Sequence, residues 1–245
     1  MSGLNAKKAP KPKSNSNKVQ QPLMEVGTEE ARVVGIIDLG LQKQRPYKGQ
    51  EKAPIRMIRI TYEFPNLFII DEDGNDVEDK PRWLSEEIPF NNLDVDLAKS
   101  TKRYRAIDPE DTCDGDFTAL VGMPCMVTIG EYSYTKDGDL KEGNEVTNVS
   151  TITKRKADKL PPLVNDKQVF LLDDPDMELF ESFFDWLKDK IKGNLEFSGS
   201  VLEARLNGEE APKPANSEDS QDEEETEDEP DSKDDEEPTE EEWLD

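Results

Sequence analysis

Histidine is absent from the whole 245-residue chain, which removes the commonest general base and the commonest metal ligand. Catalysis by other groups stays open on that ground alone. Cysteine occurs only as Cys113 and Cys125, with no Cys-x-x-Cys element, so no zinc knuckle or structural zinc site is indicated. A phosphate-cradling Gly-x-x-x-x-Gly-Lys-Ser/Thr run is missing, as is a dinucleotide fingerprint. Asp71-x-Asp73-x-Asn75 begins like a calcium loop, but its glycine is misplaced and Arg82 stands where the closing glutamate belongs, so it reads as a turn. The carboxylates between Asp108 and Asp116 read as a solvated loop rather than a divalent-ion site. No cofactor and no metal are expected. Apolar runs long enough to cross a bilayer are missing too, and no hydrophobic signal segment stands out. A soluble, reducing, intracellular setting without membrane attachment is therefore the expectation.

What the chain has in excess is acid, 57 Asp and Glu against 31 Lys and Arg, for a net charge of −26. Much of the excess lies between Glu209 and Asp245, where twenty acidic residues face only Lys213 and Lys233. Such a run repels itself and buries too little apolar surface to offset its ordering entropy, so a solvated acidic tail is expected over residues 209–245. Its tip, Trp243-Leu244-Asp245, has no local core to join and makes those three residues candidates for binding a partner protein. Residues 1–22 carry five lysines and no acid among Pro, Ser and Asn, the composition of a disordered basic arm. The stretch between the two ends suffices for one domain with a real core, without need of a second.

Within that stretch the first signals are β. In Ala31 to Leu41 we place Val33, Gly35, Ile37 and Leu39 on one face, with Gly35 and Gly40 marking strong bends. Ile55 to Phe64 alternates Ile58, Ile60, Tyr62 and Phe64 against Met57, Arg59, Thr61 and Glu63, the mark of a half-buried strand. Leu67 to Ile70 extends it to the acidic turn. A third strand is expected from Arg82 to Phe90, with Leu84, Ile88 and Phe90 inward and Trp83, Ser85 and Glu87 outward. Asp96 to Ile107 reads as helix, Phe117 to Val121 as a further helical turn. Cys125 to Tyr132 and Val146 to Lys154 read as strands joined by a hairpin near Lys136-Asp-Gly-Asp139. Five strands with a helical insert after the third match a five-stranded, OB-like Greek-key barrel over residues 23–160, making the chain mainly β. An open sandwich or an SH3-like barrel fits the same turns. Residues 161–208 form a C-terminal helical appendage. Its main helix is expected from Pro175 to about Lys192, capped by Asp174, with Met177, Phe180, Phe184, Leu187 and Ile191 as a stripe packed on the barrel.

Cations and flat rings interleave in two places. Arg45, Tyr47 and Lys48 lie in the loop after the first strand, and Lys99, Lys102, Arg103, Tyr104 and Arg105 form the densest basic cluster of the folded region. Single-stranded nucleic acid needs cations for its phosphates and rings on which unpaired bases stack, each stack contributing roughly 1 to 3 kcal/mol. Tyr47, Trp83, Tyr104 and Tyr132 can supply rings. On an OB barrel the groove runs over the central strands and the first loop, which adds Arg59 and Trp83 to the candidates. Structural roles compete for the same residues: Tyr104 as a helix-to-core contact, Trp83 as packing, Arg59 as the ion-pair partner of Glu63 or Glu87.

Ile37-Asp-Leu-Gly-Leu-Gln42, Arg45-Pro-Tyr-Lys-Gly-Gln-Glu-Lys52, Lys80-Pro-Arg-Trp83, Lys99-Ser-Thr-Lys-Arg-Tyr104 and Lys192-Gly-Asn-Leu-Glu-Phe197 together resemble a family of tailed-bacteriophage single-stranded DNA-binding proteins. The resemblance spans about Leu23 to Leu206. It implies an OB-fold, sequence-tolerant binding of single-stranded DNA in phage replication, recombination or repair, and residence in the cytoplasm of the infected bacterium. It implies no enzymatic activity. An acidic tail with an apolar tip recurs in single-stranded DNA-binding proteins, where it would compete for the groove and recruit a phage DNA polymerase, helicase or primase. The tip departs from that of better-known relatives, which end on an aromatic residue. The rival expectation is an acidic adaptor or virion-associated structural protein that binds basic protein surfaces, and a magnesium-dependent nuclease is a third.

Overall fold

Bending lets the first strand serve several neighbours at once. In this computed structural model, which describes residues 21–46, 48–136 and 138–209, β1 (Gly27–Gln42) pairs antiparallel through its first half with β4 (Pro124–Lys136). Its second half pairs with β2 (Ile55–Ile70). The register shifts between Val33 and Gly35 and again between Asp38 and Gly40, as the two glycines led us to expect. Each bulge adds a residue and turns the following side chains to the other face. The single-face assignment of Val33, Gly35, Ile37 and Leu39 is therefore corrected: Val33 and Ile36 enter the barrel core, whereas Ile37 and Leu39 enter a second core. A plain period of two cannot see a bulge.

The sheet order is β3-β2-β1-β4-β5, with β3 (Asp76–Pro89) and β5 (Asp139–Ser150) adjoining at the far edge to leave a nearly closed five-stranded barrel. Ile58, Ile60, Tyr62 and Phe64 of β2 point into it beside Ile88, Val127, Ile129, Val146 and Val149. Helix α1 (Lys99–Ile107) lies between β3 and β4 in the chain and adds Tyr104 and Ile107 to that core. The architecture is an OB-like barrel. β3 starts earlier than expected and stops at Pro89, leaving Phe90 more than a third exposed with its ring edge-on to Phe117. β5 also starts earlier, at Asp139, and stops at Ser150, so that Lys154–Ala157 form a short helix, α2, rather than a strand end. The first half of β5, Asp-Leu-Lys-Glu-Gly-Asn-Glu, has no apolar alternation because it belongs to a largely exposed hairpin arm, held by pairing with β4.

The appendage begins with β6 (Gln168–Phe170), which runs parallel to β1 against Gly35, Ile36 and Ile37. The single helix expected from Pro175 is in fact two, α3 (Met177–Ser182) and α4 (Asp185–Lys192), followed by α5 (Val201–Asn207). Asp176, not Asp174, caps α3 by accepting from the Leu179 N–H. Phe183 and Phe184 are both extended at the junction. Two adjacent phenylalanines cannot share one helical stripe, and the break resolves the conflict: Phe183 is buried against Phe170, with ring centroids 5.4 Å apart, while Phe184 is 72% exposed. Phe183 thus takes the core place assigned to Phe184. With Ile37, Leu39, Phe180, Leu187, Ile191 and Leu202 it forms the second core, each fully buried side chain contributing about 1.5–3 kcal/mol. β1 is consequently buried on both sides.

Candidate nucleic-acid interface

Cross-strand register sets out the outer face of the barrel in rows. Ile37, Arg59 and Glu87 lie side by side across β1, β2 and β3; Gly35, Thr61 and Ser85 form the next row; Glu63 faces Trp83 in the third. The appendage crosses this face and is fastened at both ends. At one end the fully buried Glu63 carboxylate accepts from the Val164 N–H at 2.7 Å, from Asn165 Nδ2 at 2.7 Å and from Trp83 Nε1 at 3.3 Å. At the other, Glu87 pairs with Lys190 of α4 and with Arg59 at 3.3 Å.

Between the fastenings runs a groove of about 310 Å³, with Arg59, Thr61, Trp83 and Ser85 as floor and Gln168, Phe184 and Trp186 among its walls. The Thr61 and Ser85 hydroxyls hydrogen-bond each other at 2.9 Å in its middle. Trp83 is 38% exposed and Trp186 49%. The Arg59 guanidinium lies 4.9 Å from the centre of the Trp186 ring, close enough for a cation–π contact. Burial lowers the Arg59 pKa from its ordinary value, and Glu87 offsets part of that; a guanidinium retains its charge at neutral pH regardless. The result is a partly desolvated guanidinium, paired to Glu87, against the Trp186 indole, with the Thr61–Ser85 row between it and Trp83. Such a surface suits a flat, electron-rich ring attached to an anion.

The residues singled out from sequence divide sharply. Arg59 and Trp83 are in the groove, with Arg59 paired to Glu87 as its structural reading foresaw. Arg45 and Lys48 are exposed in the loop between β1 and β2; Tyr47 lies outside the described residues. The 99–105 cluster does not act as one patch. Ser100, Thr101, Arg103, Tyr104 and Ile107 form the buried side of α1, and Arg103, only 3% exposed, lies bidentate on Glu86 at 2.7 and 3.2 Å. Tyr104 is buried too, its hydroxyl donating to Asp111 at 2.8 Å and accepting from the Gly115 N–H at 2.7 Å. Both are withdrawn from the binding surface as corrections: helical periodicity places them against the barrel. Lys99 pairs with Glu86 and Arg105 with Asp96, which leaves Lys102 as the exposed cation of the helix with no ion pair among the described residues. Trp243, Leu244 and Asp245 lie outside the described residues.

Trp186 and Phe184 were missed because their stretch was read as core packing. The available signal was density, three aromatics within Phe183-Phe184-Asp-Trp186, more than one face of a short helix can bury. The acidic loop before β4 is occupied with its own turns. Asp108 accepts from the Cys113 N–H and the Thr112 hydroxyl, Asp111 from Tyr104, and Asp116 from the Thr118 N–H. Among the described residues no three potential metal-ligating side chains cluster. Burial pushes the Cys125 thiol up to about 12 and raises Cys113 as well, so neither is a ready thiolate. Among the described residues no helix is long and apolar enough to cross a membrane. No protein-family model matches this chain, and no curated protein matches it. The OB-like barrel defines its fold class.

Proposed function

We propose that this chain is a non-enzymatic, sequence-independent single-stranded DNA-binding protein that coats DNA exposed during phage replication, recombination or repair in the host cytoplasm. The observation that carries the reading is the position of Trp83, Trp186 and Arg59 in one groove on the outer strand face of an OB-like barrel, the face such barrels use for oligonucleotides. Bases stack on the two indoles; Arg59, Arg45, Lys48 and Lys102 screen phosphates. The acidic residues 209–245 compete for the same cations until DNA displaces them. Their tip, Trp243-Leu244, then recruits a polymerase, helicase or primase. Truncation after Gly208 is accordingly expected to tighten binding, most visibly at low salt, because an internal polyanion is lost; equal affinity of the two forms would remove the competition step.

Alanine in place of Trp83 or Trp186 is expected to weaken oligo-dT binding by about 1–3 kcal/mol each, read by fluorescence anisotropy. Unaltered affinity in both variants would reject the groove. The rival, an acidic adaptor that binds basic protein surfaces, draws support from the engagement of Arg103, Lys99 and Arg105 in ion pairs. It requires that neither oligo-dT nor duplex DNA bind at all.

A further inference from the structure

The hairpin formed by the outer halves of β4 and β5 sorts its side chains by chemistry. Tyr132, Tyr134 and Lys136 alternate along β4, and their cross-strand partners on the same face are Gly143, Lys141 and Asp139. Glu131, Ser133 and Thr135 share the opposite face with Asn144, Glu142 and Leu140. On that opposite face Asn144 exchanges two hydrogen bonds with the Met24 main chain, at 2.8 and 2.9 Å, so the amino-terminal segment already occupies part of it. The tyrosine face has no such cover among the described residues: Tyr132 is 44% exposed and Tyr134 50%.

The two rings lie nearly parallel, with 21° between their planes and centroids 6.0 Å apart. Gly143 makes that possible. A Cβ at position 143 would fall 2.6 Å from the Tyr132 hydroxyl and 2.7 Å from the ring carbon bearing it, so the ring lies across β5 only because the position opposite is glycine. An aromatic covering a cross-strand glycine stabilises a hairpin in its own right, which accounts for Tyr132 but not for a second exposed tyrosine beside it. Lys136 and Lys141 adjoin the rings; Asp139, 3.6 Å from Lys141, and Glu145 at the barrel end are the acids on this face.

We propose that this face is a stacking platform for unpaired bases of single-stranded nucleic acid, with Lys136 and Lys141 beside the phosphates. It extends the proposed interface from the groove onto the hairpin between the fourth and fifth strands, and it rests on the single-strand-binding reading. Two flat rings and two cations in an otherwise acidic chain match the needs of a base-stacking, phosphate-tracking surface. DNA and RNA share that chemistry, so the test uses both labelled oligo-dT and oligo-U.

Anisotropy titrations with the full chain compare wild type, Tyr132→Ala/Tyr134→Ala, Tyr132→Phe/Tyr134→Phe and Gly143→Val. The alanine pair should raise Kd about ten- to a hundredfold, while the phenylalanine pair, which keeps the rings, stays within about twofold. Gly143→Val retains every ring and charge yet should raise Kd about tenfold by displacing Tyr132. Wild-type binding that the alanine pair leaves within about twofold would overturn the platform while leaving the groove intact. So would a phenylalanine pair as weak as the alanine pair. Absence of wild-type binding to either oligonucleotide would overturn both the platform and the reading beneath it. A larger loss on oligo-dT than on oligo-U in the alanine pair assigns the platform to DNA, and the reverse assigns it to RNA.

Discussion

Replacing Arg103 by alanine is expected to lower folding stability by about 3–5 kcal/mol, the cost of leaving one member of a buried ion pair without its partner. Glu86 is 8% exposed and accepts from the Tyr62 hydroxyl at 2.9 Å, from Arg103 Nε at 2.7 Å and from Lys99 at 2.8 Å. Arg103→Lys should recover only part of the loss, since an ammonium cannot reproduce the two-pronged contact. Lys102→Ala, on the exposed side of the same helix, should change stability by no more than about 0.5 kcal/mol. Urea-unfolding midpoints at constant slope measure all three. The comparison separates an arginine that holds α1 in the barrel from a lysine that is available to phosphate.

The same carboxylate gives the pH dependence its sign. Burial alone would raise the Glu86 pKa, but the hydrogen bonds from Arg103 and Lys99 outweigh it and hold the group below its ordinary value. A depressed folded pKa contributes stability that is present above the unfolded value, about 4.3, and is lost as pH falls through the folded one. Wild type should therefore lose this contribution in acid. In Arg103→Ala much of it is already gone, so the stability gap between the two narrows on the acid side.

Gly40→Ala should produce the second large effect, a loss of about 2–5 kcal/mol. Gly40 has φ +72°, and an L side chain in that region costs about 1–2 kcal/mol. The added Cβ would meet the Asn194 side chain at 2.7 Å and Leu172 Cδ1 at 2.8 Å, overpacking that adds about 1–3 kcal/mol. Gly49 supplies the control: its φ is +79° with nothing within 4 Å, so Gly49→Ala should show the backbone cost alone. Asn194 cannot move freely, because its Nδ2 donates to the Ile191 carbonyl at 2.6 Å and its Oδ1 accepts from the Glu196 N–H at 2.8 Å. Helix α4, which ends beside it, carries Trp186 and Lys190. A clash at Gly40 thus reaches the groove wall as well as the second core.

That contact joins two phrases that lie far apart in the sequence. Ile37-Asp-Leu-Gly-Leu-Gln42 and Lys192-Gly-Asn-Leu-Glu-Phe197 meet in space: Gly40 abuts Asn194, the Leu195 N–H donates to the Leu41 carbonyl at 2.9 Å, and Gln42 donates to the Lys190 carbonyl at 3.1 Å. The barrel itself was legible because Ile58 to Phe64 and the glycine bends of β1 carry strong local signals. The second core was only half legible, since it depends on bulges that turn Ile37 and Leu39 outward and on a helix break between Phe183 and Phe184. Neither is encoded in a period. For the site, sequence named Arg59 and Trp83, but charge density alone could not separate exposed Lys102 from buried Arg103. Trp186 lies beside a stripe read as core but is not part of it, and Tyr134 lies past the expected end of the fourth strand at Tyr132.

Titration of labelled oligo-dT with the full-length protein at two salt concentrations, with duplex DNA as competitor, measures whether the proposed stacking surface of the barrel takes unpaired nucleic acid. Tight, salt-sensitive binding that duplex does not displace is expected. No binding at either salt concentration, or equal competition by duplex, would contradict the proposal.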